Sequence, residues 1–152
     1  MAILIDNRQS RLKICPAKIR ETAQTILSAL DCPDGELSIL IVDDPQIALL
    51  NQQYLDRTGP TNVIAFPMQE GLFSNITPGL LGDVVISIDT AEREGALGTV
   101  GLATRFKELL VHGVLHLFGY DHETKPDEDK MAEKNTAILK RIQSMKGEIT
   151  NG

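Results

Sequence analysis

Two periods of apolar residues run through the chain, and the switches between them mark the elements. Ile3-Leu4-Ile5 is a short apolar run suited to a first strand. From Pro16 to Leu30, the residues Ile19, Ala23, Ile26, Leu27 and Leu30 recur at helical spacing, with Pro16 in the first turn. A turn over Asp31 to Gly35 leads to Leu37-Ser38-Ile39-Leu40-Ile41-Val42, a β-branched run that predicts a buried strand. Asp43-Asp44-Pro45 supplies a cap and an early proline for a helix through Ile47, Leu50, Asn51 and Tyr54. After a polar loop from Asp56 to Pro60, Asn62 to Phe66 predicts a strand stopped by Pro67.

Residues 68–80 hold two glycines and a proline and predict a long irregular loop. Gly82 to Ile88 predicts the next strand, with Asp89-Thr90 capping a helix that carries Ala91, Glu92 and Glu94. Thr99 to Phe118 carries Leu102, Phe106, Leu109, Leu110, Val114 and Leu117, the apolar stripe of a long helix. Pro126 opens a final helix through Met131, Ile138 and Ile142. Asp127-Glu128-Asp129 at its start and Lys140, Arg141 and Lys146 toward its end suit the helix dipole. The expected fold is α+β: one domain over residues 1–152, with a small mixed sheet of about four strands and several helices.

Composition agrees with that picture and narrows the function. Of 152 residues, 42% are hydrophobic and 24% charged, enough for a packed core and too apolar for disorder. No run reaches the roughly 20 apolar residues of a membrane span, and the first residues lack a signal peptide's apolar core. A cytoplasmic location is expected, with no membrane partner. The net charge of −6 argues against attachment to DNA or RNA by bulk positive charge. Locally the balance reverses: Arg8, Arg11, Lys13, Lys18 and Arg20 stand against Asp6 alone. That patch reads either as solvated surface or as a nucleic-acid contact. Cys15 and Cys32 have neither CxxC spacing nor the density of a disulfide scaffold, and read as small buried hydrophobes.

The candidate chemistry lies in one segment. All three histidines fall within His112-Gly113-Val114-Leu115-His116-Leu117-Phe118-Gly119-Tyr120-Asp121-His122. His112 and His116, four apart on a predicted helix, project from one face about one turn apart. Gly119 permits a left-handed helix end, and the reversal can return His122 to the same ion. Three neutral imidazoles leave one tetrahedral position open, the pattern of a catalytic zinc. The spacing resembles the HExxHxxGxxH site of metzincin proteases, with Gly113 in place of the glutamate base. Peptide hydrolysis by that route is disfavoured, and Gly113 is expected to serve the space beside the metal.

The same segment closely resembles the HGxLHLxGYDH signature of the YbeY family, bacterial metal-dependent endoribonucleases of ribosomal RNA maturation. Leu50-Asn51 with Pro60 to Pro67 is similar to the family's LN…PT(D/N)VLSFP segment, and Leu81 to Ser87 to its LGDIxIS strand. The resemblance implies one Zn2+ per chain on His112, His116 and His122. It implies single-strand-specific cleavage in 16S rRNA 3′ end processing and in ribosome assembly or quality control. Its implied partners are ribosomal RNA and ribosomal or ribosome-associated proteins, not DNA. The family also carries an arginine shortly before PT(D/N)V that acts on the RNA backbone. Leu55 occupies that place here, so Arg57 is the nearest candidate for the catalytic arginine, and Ala65 replaces the family's serine.

Two rivals stay open on the residues alone. One is a zinc hydrolase of a peptide or small molecule, with Glu108 or Asp121 as base. The other is a non-catalytic ribosome assembly factor whose metal only pins the helix turn. Asp121 reads as a turn cap or as an orienter of a ligand, and Tyr120 as a packing residue. Asn62 and Ser87 read as groove-lining residues or as edge-strand polar groups.

Overall fold

The computed structural model describes residues 3–68, 80–143 and 149. Its elements are β1 (Ile3–Asn7), α1 (Pro16–Ala29), β2 (Glu36–Val42), α2 (Asp44–Leu55), β3 (Val63–Pro67), β4 (Leu80–Ser87), α3 (Ile88–Leu97), α4 (Leu102–Leu117) and α5 (Lys125–Gln143). The four strands form one mixed sheet in the order β1-β2-β4-β3. β1, β2 and β4 run parallel, and β3 pairs antiparallel with β4 at the edge. The α+β expectation holds.

The period of two decides which residue meets which layer. Leu37, Ile39 and Ile41 of β2 and Val84 and Ile86 of β4 join the main core, together with residues of α1, α4 and α5. Their neighbours Val42 and Val85 turn to the other face, where Ile47 of α2 and Ile64 of β3 complete a smaller cluster. α4 is the central helix of the main core: Phe106, Leu110, Val111, Val114 and Leu115 are fully buried. Its apolar stripe is correspondingly broad. That burial makes α4 a rigid mount for the histidines it carries.

Several ends differ from expectation. α3 begins at Ile88, because Ser87 caps it by accepting from the Thr90 amide; Asp89 lies in its first turn instead. Ser87 is fully buried on an interior strand, and its hydroxyl donates to Asp44 Oδ1 at 2.6 Å. It neither lines a groove nor satisfies an edge. Pro67 does not stop β3 but ends within it, where an edge strand tolerates the missing N–H. α4 starts at Leu102 rather than Thr99, after Gly101. Residues 69–79 of the expected loop, and Lys146, lie outside the described residues; Leu80 already belongs to β4.

The basic N-terminal segment resolves toward structure. Arg8 pairs with Asp6, Arg11 with Asp89 and Glu92, and Lys18 with Glu21, all at the surface. Arg20 donates to the Ile3 carbonyl. Most of this cationic patch is thus matched by the chain's own acids and carbonyls.

Candidate metal centre

The histidine helix–turn follows from two local devices. The first is the end of α4, a Schellman turn: Gly119 N–H donates to His116 O at 3.0 Å and Tyr120 N–H to Leu115 O at 3.1 Å. Gly119 takes φ +90°, which an L side chain strains to adopt. The chain then reverses through Asp121, whose Oδ1 accepts from the Glu123 amide at 3.2 Å. Asp121 therefore caps the turn around His122, and Tyr120 packs against the main core.

The second device is Gly113. A Cβ built there would lie 2.7 Å from Val84 Cγ1 and 3.2 Å from Val63 Cγ2. The glycine lets α4 lie close on β3 and β4, and the space it saves faces the sheet, not the metal. That corrects the expectation from sequence. It also explains the missing glutamate: a side chain at 113 would run into Val84 and Val63.

His112 Nε2 and His116 Nε2 lie 3.0 Å apart, with ring centroids 4.5 Å apart. Two ligands 2.0–2.1 Å from a tetrahedral ion are separated by roughly 3.3 Å, so this pair fits one zinc with little adjustment. Two imidazole nitrogens so close need a proton or a cation between them. Burial, followed by the His116, His122 and Arg105 charges, pushes the His112 pKa down to about 4. Burial and then the His122 charge also lower His116, against a backbone hydrogen bond at Tyr120 and the Asp121 carboxylate. Both shifts favour the neutral imidazole, the form that ligates. His122 is exposed, its centroid 5.9 Å from that of His116, so among the described residues no three donors are closed around one point.

Beside His112 opens a cavity of about 310 Å³, walled by Asn62, Arg105, Glu108 and Asn135 over Leu109 and Leu139. Arg105 Nε donates to Glu94 Oε1 and its Nη1 to Glu108 Oε1, both at 3.0 Å. Asn62 Nδ2 reaches the same Glu94 at 3.2 Å while its Oδ1 accepts from the Val63 amide. Arg57 does not line this cavity. Asp56 takes the left-handed conformation, and Arg57 N–H donates to Asn51 O, which leaves the Arg57 side chain exposed in the loop. Arg105 is the arginine brought to the histidines. It precedes His112 by seven residues, two helical turns on the same face, and that spacing was the available signal.

The loop carrying Arg57 hangs on buried Asn51, whose Nδ2 donates to the Gly59 carbonyl at 2.9 Å. We expect Asn51→Ala to cost about 1–2 kcal/mol and to free residues 56–60. Amide hydrogen exchange in that loop should rise; unchanged protection would show that the loop is held from elsewhere.

Fold and site together place the chain among small α+β proteins built around a histidine helix–turn. Its backbone matches the solution structure of TM1509 from Thermotoga maritima with a TM-score of 0.64 at 22% identity, over 92% of this chain and 88% of that one. The chain belongs to the YbeY family: residues 4–143 match the family model described as endoribonuclease YbeY. It is 48% identical to endoribonuclease YbeY of Syntrophotalea carbinolica, over 92% of this chain and 95% of the relative. The corresponding protein of Aquifex aeolicus is 45% identical, over 86% of this chain and 85% of its own.

Proposed function

We propose that this chain is a metal-dependent endoribonuclease of single-stranded RNA, acting in the cytoplasm on the 3′ end of 16S rRNA during ribosome maturation. Its family supports the reaction class. The observation that carries the metal is the 3.0 Å approach of two imidazole nitrogens beside a polar cavity. His112, His116 and His122 would hold one Zn2+. Bound there, zinc supplies Lewis acidity for a phosphate oxygen and activation of water. The chain's own groups do the rest. The cavity's polar wall receives a nucleotide, and Arg105 faces it with Nη2 directed at neither Glu94 nor Glu108. That nitrogen carries two N–H groups, and one of them is available to pair with phosphate charge. Arg57, exposed on its loop, contacts the RNA backbone further out. With most N-terminal cations paired and a net charge of −6, free RNA is held weakly, and ribosomal or ribosome-associated proteins deliver the substrate.

The test is metal removal. Purified protein dialysed against a chelator should lose cleavage of a single-stranded RNA, and one equivalent of zinc should restore it. Full activity after complete metal removal would end the metal-dependent reading.

A further inference from the structure

Among the described residues, the cavity beside His112 carries hydrogen-bonding groups that the fold leaves unused. Glu108 offers Oε1 to Arg105, and Oε2 makes no hydrogen bond among the described residues. Asn135 of α5 is half-buried, and its amide has no partner among the described residues. Arg105 uses Nε and Nη1 on carboxylates, which leaves Nη2. The lining is mainly polar with Leu109 and Leu139 among it, and about 310 Å³ falls at the lower end of the range of small-molecule sites. By contrast Asn62 has both ends of its amide engaged, by Glu94 and by the Val63 amide, and serves as wall.

A heteroaromatic base fits within this volume, and the polar lining chooses among the bases. The free carboxylate oxygen accepts from N–H groups. The guanidinium donates to ring or carbonyl acceptors. The amide does either. Guanine alone of the four RNA bases presents adjacent N–H donors, N1–H and the 2-amino group, on one edge and two acceptors, O6 and N7, on the next. Adenine and cytosine show an amino group beside a ring acceptor, and uracil a single N–H between two carbonyls. A carboxylate facing either arrangement gains fewer bonds and meets an acceptor lone pair.

We propose that this cavity is a nucleobase subsite that selects guanine at the nucleotide next to the scissile phosphate, through Glu108, Asn135 and Arg105 over Leu109 and Leu139. The proposal rests on the endoribonuclease reading for its place beside the cut, but base binding itself does not require cleavage. Single-stranded RNA is commonly read in this way, by splayed bases hydrogen-bonded on their edges.

Two measurements test it separately. In the first, GMP, AMP, CMP and UMP are titrated into the ¹⁵N-labelled protein as purified. The side-chain amide signals of Asn135, assigned by their loss in Asn135→Asp, are followed. GMP should shift them at about tenfold lower concentration than the other three. Equal shifts with all four, or none, would overturn base selection. In the second, single-stranded oligonucleotides differing only in the base beside the cut are compared for kcat/KM. Guanine should lead by about tenfold, and Glu108→Gln, which keeps size but loses the charge, should reduce that lead to twofold or less. A guanine lead unchanged in both Glu108→Gln and Asn135→Ala overturns the assignment. If GMP shifts Asn135 while no RNA is cut, the subsite stands and the nuclease reading falls.

Discussion

His116→Ala should abolish metal retention and RNA cleavage while leaving the chain folded. His116 is the middle donor: its Nε2 meets that of His112 at 3.0 Å, and its ring is the nearer partner of His122. Removing it leaves His112 half-buried on the helix and His122 exposed beyond the turn, two donors with no bridge between them. Loss of groups that merely orient metal ligands costs 10–100-fold, so loss of a central ligand should cost at least about 100-fold in activity. Bound metal should fall from near one per chain to below about a tenth. Folding should survive, because the ring is only half-buried and its ring contacts are the other two histidines. Metal analysis, cleavage assays and circular dichroism on the same preparation check this. A folded, metal-free variant that still cuts RNA would remove the metal from the reaction. One that cuts nothing yet supports normal rRNA processing in cells would favour the assembly-factor reading.

The second large effect is expected at Gly113, and its direction separates two explanations of the glycine. If the residue were kept for room beside the metal, alanine would disturb chemistry and little else. The structure instead puts the new Cβ 2.7 Å from Val84 Cγ1, in a core where Val84 is fully buried. Overpacking of this kind costs roughly 1–3 kcal/mol, and alanine returns roughly 0.5–1 kcal/mol of helix propensity. Gly113→Ala should therefore destabilise by about 1–2 kcal/mol, lowering Tm by roughly 2–8 °C. Because His112 is the preceding residue on the same buried helix, α4 lifting from the sheet should also weaken metal retention. An unchanged or higher Tm would show that Val84 yields freely and that the close approach is not why glycine stands there.

Most of the architecture was legible because the sheet and α4 are read by strong local signals. β2 and β4 carry β-branched runs, α2 has its Asp43 cap and early proline, and Gly119 stands where only a left-handed turn ends the helix. The start of α3 was not legible in this way. Ser87 and Asp89 are both good caps, and only the sheet's end, where Ser87 also bonds Asp44, decides between them. Asp44 is itself instructive. Burial raises its pKa, but hydrogen bonds from Ser87, Thr90 and Arg93 outweigh that and hold the carboxyl below its usual range. Those partners lie 43 to 49 residues away in the chain, beyond any window of periodicity.

The sequence by itself determined that three histidines share one helix–turn, since helical period and a glycine stop are properties of neighbouring residues. It also carried the family likeness, which residues 4–143 bear out. Tertiary structure decided what surrounds those histidines. It turned Gly113 toward the sheet, drew Arg105 rather than Arg57 to the cavity, and brought Asn62 and Asn135 from separate elements to its wall. Apart from Arg105, which shares α4 with His112, these are contacts between distant segments, fixed by packing rather than by local propensity, and no spacing along the chain encodes them.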